Sequence, residues 1–234
     1  EILDYRVFLA LGKIYAMENK NILATNQFKK ALELDRKNAE IHFNLGKVFF
    51  KIGKLSQALE SFTKSTIYEK ENGEYHYFLG QVYEKILKMD DAIANYKITR
   101  KFSPEIVEVN RKLGLLLFKK EKYRNAVEPL RDYIIHYPDS TRILSIFSNV
   151  LLKESRYPEA IDGFSRLINK VPNSIDNYLK LALAYKEMDD FENAMLIYEE
   201  ALNFNDELSD IYIQLGLTTY ELGYYDKTVN YLLE

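Results

Sequence analysis

Three histidines, two adjacent pairs of aspartates and nineteen tyrosines are the side chains of this 234-residue sequence best equipped for chemistry. Imidazoles bind metals and move protons near neutral pH. Neighbouring carboxylates can divide acid and base roles or hold a cation. Tyrosine rings can stack on nucleic-acid bases. Their placing argues against all of these. His42 and His76 lie 34 residues apart, at one position of a repeated pattern. Equivalent residues of neighbouring packed helices are on the order of 10 Å apart, too far to share a metal whose ligand bonds are about 2 Å. They read as packing residues, and His136 reads as a partner for the last carbonyls of a helix. Asp90-Asp91 and Asp189-Asp190 precede predicted helices, where acids favour the N-terminus. Tyr15, Tyr83, Tyr96, Tyr185 and Tyr198 recur at two fixed positions and read as core, so no nucleic-acid partner is expected. The sequence has no Cys, which removes disulfides, Cys-based zinc sites and thiol nucleophiles. It has no Gly-rich phosphate loop and no Ser-His-Asp nucleophile motif. No cofactor and no metal is expected, and the chain reads as a non-enzyme.

The elements that position these residues follow a strict 34-residue period. Gly12, Gly46, Gly80, Gly114, Ser148, Ala182 and Gly216 are all small, and each follows a Leu or Phe. Twelve residues after them come Ala24, Ala58, Ala92, Ala126, Ala160, Ala194 and Thr228. Four further on come Phe28, Phe62, Tyr96, Leu130, Phe164, Tyr198 and Leu232. A period of this size marks stacked supersecondary units. Within each unit apolar residues recur twice at helical spacing, divided by a short polar link such as KIGK or MDDF. Such links imply antiparallel helix pairs. Pro104, Pro138 and Pro172 fall after the second helix, where the chain must turn. A helix-interior Gly costs about 1 kcal/mol relative to Ala. Its recurrence implies close approach of two backbones, and Gly80 against Ala92 is the contact the pattern picks out.

The Leu-Gly pair, the aromatic three residues on, the Ala, the aromatic after it and the late Pro resemble the tetratricopeptide repeat (TPR) family over nearly the whole chain. The resemblance implies an all-α fold, a right-handed superhelical solenoid of antiparallel helix pairs. It divides residues 1–234 into a single array, with repeats at 5–38, 39–72, 73–106, 107–140, 141–174 and 175–208 and a partial repeat at 209–234. The repeat from 141 departs with Phe147-Ser148, and the last with Thr219 and Thr228.

In that family the first helices line a concave groove. The positions that face it carry net positive charge here, +2 in each of the first, fourth and fifth repeats, on a chain whose net charge is -3. The function this implies is a protein–protein interaction scaffold that binds a peptide or helical segment of another protein, acidic or amphipathic in character. The expected contacts are Phe43, Asn44, Lys47, Tyr77, Arg111, Lys112, Asn149 and Lys153. Of the positions that hold a partner's terminal carboxylate in co-chaperones of the family, only Asn44 fits, so that mode is not expected. The alternative is a structural subunit of a larger assembly, such as a bacterial cell-envelope or motility complex, acting through end-face or convex-face contacts, with self-association through array ends. No apolar run reaches a membrane span, so no membrane insertion is expected within this stretch. Cytoplasm and periplasm are both compatible. The chain opens on Glu1 without Met and reads as a piece of a longer protein.

Overall fold

A computed structural model of the chain describes residues 4–204 and 209–234. The first three residues, and the end of the sixth expected repeat at 205–208, lie outside the described residues. Among the described residues there are fourteen α-helices and no strand. They are α1 (Tyr5–Met17), α2 (Asn21–Leu34), α3 (Ala39–Lys51), α4 (Leu55–Tyr68), α5 (Gly73–Lys85), α6 (Met89–Phe102) and α7 (Glu108–Lys119), followed by α8 (Tyr123–His136), α9 (Thr141–Lys153), α10 (Tyr157–Lys170), α11 (Ile175–Lys186), α12 (Phe191–Leu202), α13 (Ser209–Glu221) and α14 (Tyr225–Leu233). None of them is long and apolar enough to cross a membrane.

The chain divides into two compact units, Glu1–Leu116 and Leu117–Glu234. In the first, α1 pairs with α2, α3 with α4 and α5 with α6; α2 also packs on α3, and α4 on α5. In the second, α9 pairs with α10, α11 with α12 and α13 with α14; α8 packs on α9, α10 on α11 and α12 on α13. Each unit is thus a stack of antiparallel helix pairs, as the period predicts.

Helix starts and stops have local causes. Asn38 Oδ1 accepts from the Ile41 amide at 3.1 Å, and Asn72 Oδ1 from the Tyr75 amide at 3.3 Å. Each satisfies one of the amides that α3 and α5 leave free. The following helices α4 and α6 have Lys54 and Lys88 at the N-cap, with no side-chain cap. Their turn is made one residue earlier, by a left-handed backbone. Asn19, Gly53, Leu87, Glu121, Ser155, Asp189 and Gly223 all have φ between 55° and 75°. The next amide then donates five residues back, from Lys54 to Phe49 and from Lys88 to Tyr83, both at 2.9 Å. This is a Schellman closure. Gly53 and Gly223 adopt it without steric cost, whereas Leu87 does not. Leu87 is three-quarters exposed, so it has little packing to lose. Leu87→Gly is expected to raise the unfolding free energy by about 1 kcal/mol, read from the urea midpoint. A lower midpoint would mean that the Leu87 side chain contributes more than its backbone costs.

The tightest neighbour of the recurring glycines is a large side chain of the second helix. The atoms nearest a Cβ at Gly80 would be those of the Tyr96 ring, Cε1 at 2.6 Å. Gly12 faces Phe28, Gly46 faces Phe62, and Gly216 faces Leu232 in the same way. The reason is the slant of helical side chains. Each points back toward its helix N-terminus and covers the turn before its own Cα. A ring one turn beyond the alanine therefore lies over the space beside the glycine. The repeat from 141 inverts this scheme. There Ser148 stands at the glycine position, and a Cβ at Gly163 would meet its Oγ at 2.1 Å. In the last pair Thr219 and Thr228 bury their hydroxyls 3.0 Å apart; one donates to the other, which donates to a carbonyl one turn before it in the chain. Both departures from the pattern are matched by a second change beside them.

Candidate functional site

The first helices of the first unit enclose a cleft of about 640 Å³. α1 supplies Lys13, Ala16 and Met17, α3 supplies Glu40, Phe43, Asn44, Lys47 and Lys51, and the start of α5 supplies Glu74 and Tyr75. Its floor is aromatic. Phe43 is only 4% exposed, and its ring centroid lies 4.4 Å from that of Tyr75, 5.3 Å from Phe78 and 5.8 Å from Phe62. Lys47 lies with Nζ 4.7 Å from the Phe43 centroid, a cation–π contact. Asn44 Nδ2 donates to the Glu40 carbonyl at 2.9 Å, so one of its donors is held within α3. Lys13 pairs with Glu40 across α1 and α3. Lys51 Nζ donates to Asn19 Oδ1. Asn21, also on the cleft wall, has a buried Oδ1 with no hydrogen-bond partner. A buried polar oxygen without a partner is uncommon and costly.

The other expected contacts are placed differently. Tyr77 is half-buried on α5, its ring centroid 5.8 Å from Phe78 and 6.0 Å from Tyr96. Burial raises its hydroxyl pKa above the ordinary tyrosine value, and the Glu108 charge adds to this. Arg111 pairs with Glu108 on its own helix. Lys112 donates to Glu84 Oε2 at 3.0 Å, and the hydroxyl of buried Tyr96 donates to the same oxygen at 2.7 Å. Burial pushes the Glu84 carboxyl up, but hydrogen bonds from Tyr96 and Lys112 outweigh it and hold the pKa below the ordinary value. The two cations expected to make the groove basic therefore have carboxylate partners, and Lys112 anchors α7 to α5. In the second unit, Asn149 Nδ2 donates to the Ser145 carbonyl at 2.7 Å, and Lys153 is exposed in the last turn of α9. The structure brings Phe43, Asn44 and Lys47 together in one cleft. It does not bring the other five expected contacts into that cleft.

The cleft also contains residues that charge and position counting passed over. Lys13 and Glu40 cancel as a pair, which counting along single helices does not register. Tyr75 lies at a repeat position normally assigned to the core. Asn21 opens a second helix. The histidines hold loops. His42 Nε2 donates to the Arg36 carbonyl at 2.9 Å, and His76 Nε2 to the Lys70 carbonyl at 3.1 Å. Both clasp the link that precedes their helix. His136 Nδ1 bonds the Asp132 carbonyl at 2.8 Å. Asp190 caps α12 through the Asn193 amide at 3.2 Å.

Residues 12–53 match a TPR repeat family model, and residues 45–106 match a tetratricopeptide repeat model. The chain belongs to the tetratricopeptide repeat family. Residues 79–205, more than half of this TPR protein, also match the ChAPs, the Chs5p-Arf1p-binding proteins, and this groups it with them. No curated protein sequence matches the chain. Among solved structures, YrrB is a TPR protein with an unusual peptide-binding site. It is 20% identical with a TM-score of 0.62, over 77% of this chain and 93% of that one. A TPR protein from Parabacteroides merdae is 19% identical with a TM-score of 0.59, over 97% of this chain and 90% of that one. Naa15/Naa10 bound to HypK-THB reaches a TM-score of 0.75 at 13% identity, over 97% of this chain and 35% of that one. At such identities the likenesses establish the TPR fold.

Proposed function

We propose that this TPR protein is a non-catalytic scaffold, and that the cleft between α1, α3 and α5 takes an extended or helical segment of a partner protein. The observation that carries this is the cleft itself. An aromatic floor with cations and carboxylates at the rim is what peptide recognition uses. Phe43 and Tyr75, almost wholly buried, make a rigid floor, and exposed Met17 on the wall offers apolar area to an anchoring side chain. Lys47 favours a carboxylate on it, in keeping with an amphipathic or acidic partner. Two comparisons support the reading by analogy: YrrB has a peptide-binding site, and the ChAPs bind proteins. Asn149, Lys153, Tyr77, Arg111 and Lys112 extend the proposal to the other first helices, with Arg111 and Lys112 serving mainly to hold those helices in place.

The test is selection of a displayed random-peptide library on the wild-type chain. Selected peptides are then titrated against the doubly substituted chain Asn44→Ala, Lys47→Glu. Peptides enriched on the wild type are expected to bind this variant at least about tenfold more weakly, a loss of about 1.4 kcal/mol, while its melting curve stays within a few degrees of wild type. Equal affinity for both proteins would place the site elsewhere.

A further inference from the structure

We propose that the segment held in the first-unit cleft is bipolar: a lysine or arginine of the partner lies against Glu69 and Glu74, and an aspartate or glutamate of the same segment lies against Lys47 and Lys51. This deepens the reading of the cleft as a site for a partner segment and rests on it. The first observation is how the charges are sorted. Six charged side chains line the cleft, Lys13, Lys47 and Lys51 with Glu40, Glu69 and Glu74, so it has no net formal charge. They are not mixed. Burial raises the Tyr75 hydroxyl pKa, and the charges of Glu69, Glu40 and Glu74 all raise it further. The three carboxylates therefore gather around one ring, at the end of the cleft where α3 and α5 begin. From Glu40, the residues Asn44, Lys47 and Lys51 follow on α3 at steps of four, three and four, which is one face of a helix. Lys47 and Lys51 thus lie about 10 and 16 Å along the axis from Glu40. One end of the cleft is acidic and the other basic.

The second observation is which of these charges already have an opposite charge beside them. Lys13 and Glu40 do, in each other. Thirty-four residues on, the same two positions hold Lys47 and Glu74. No ion pair joins these two. Lys47 lies over the Phe43 ring instead, with Nζ 4.7 Å from its centroid, and Glu74 is exposed. Glu69 is exposed as well and accepts from the neutral Asn72 Nδ2 at 3.1 Å. Lys51 donates to the neutral Asn19 Oδ1. Among the described residues, two carboxylates at one end and two ammonium groups at the other are thus left without an ion pair.

Helix dipoles account for part of this order. They favour Glu40 and Glu74 in the first turns of α3 and α5, and Lys51 in the last turn of α3. They do not account for Lys47, which precedes that last turn, and they disfavour Glu69, which follows the last turn of α4. Lys47 and Glu69 are the charges that the fold does least to explain. A wholly acidic segment would be repelled at Glu69 and Glu74, and a wholly basic one at Lys47 and Lys51. A segment with both charges meets its complement at each end, and the complementarity fixes its register in the cleft. An extended chain rises about 3.3 Å per residue, so about three to five residues separate the two charges.

Selection of a displayed random-peptide library on three forms of the full 234-residue chain tests this. They are the wild type, a variant with Glu69→Gln and Glu74→Gln, and a variant with Lys47→Gln and Lys51→Gln. Circular dichroism melts check that both variants fold. Peptides enriched on the wild type are expected to carry a base and an acid about three to five residues apart. The glutamate variant is expected to lose the preference for the base and keep that for the acid, and the lysine variant to do the reverse. Replacing the base of a selected peptide by Gln is expected to weaken its binding to the wild type about two- to fivefold, the range of exposed ion pairs, and to leave its binding to the glutamate variant unchanged. Enriched peptides that lack either charge overturn this inference alone, as does a variant that loses both preferences together. No enrichment on the wild type overturns it along with the reading on which it rests.

Discussion

Gly80→Ala lowers the stability of the chain by about 2 kcal/mol, although alanine is the better helix former. Propensity alone would give a gain of about 1 kcal/mol. The space decides otherwise. The new methyl would lie 2.6 Å from Cε1 and 2.8 Å from Cδ1 of Tyr96. Tyr96 is fully buried, and its hydroxyl is tied to Glu84 at 2.7 Å, so the ring has no low-energy route aside. One methyl therefore forces either the α5–α6 spacing or an off-rotamer ring. Urea unfolding measures the sign directly. A gain in stability would mean that the ring yields and that the glycine is not a packing requirement.

Lys112→Glu is expected to cost about 2 kcal/mol or more. Loss of one partner from a fully buried ion pair costs about 3–5 kcal/mol, and the exposure of the Glu84 side chain, 39%, reduces that figure. The reversal also sets a second carboxylate beside Glu84, on the oxygen that already accepts from Tyr96. The effect depends on pH with a definite sign. The folded Glu84 pKa lies below its ordinary value, so its contribution is present above the unfolded pKa of about 4.3 and is lost as pH falls through the lower folded value. In the variant that pKa rises. The stability gap between wild type and variant should therefore shrink below about pH 4. A gap that stays constant from neutral pH to pH 3 would show that Glu84 is not the group involved. For the same reason, reversing charge at Arg111 and Lys112 would disturb the α5–α7 contact before it reported on any partner.

The residues that set the architecture were readable because they repeat. Gly46, Ala58 and Phe62 announce a helix pair through spacing alone, and the next pair answers 34 residues on. Contacts within a pair were less legible. The small-residue pattern joined Gly80 to Ala92 and passed over Tyr96, whose slanted ring lies nearest the glycine. The turns were half visible, since Gly53 and Gly223 show the left-handed position while Leu87 and Glu121 hide it. The site was legible only in part for an electrostatic reason. A sequence lists Lys112 and Glu84, or Lys13 and Glu40, as separate charges, and only the packing of helices shows that they cancel. Asn21 could not have been found from spacing, because its distinction is a buried oxygen without a donor.

The first-helix cleft of the first unit is the surface proposed to hold a partner protein. A photo-crosslinking amino acid placed at Met17 on the cleft wall, and separately at exposed Ile22 on α2 outside it, tests that most directly in the source cell. The expected result is a crosslinked partner from position 17 that disappears when Asn44→Ala and Lys47→Glu are added, and none from position 22. Equal crosslinking from both positions, or crosslinking from position 22 alone, would contradict it.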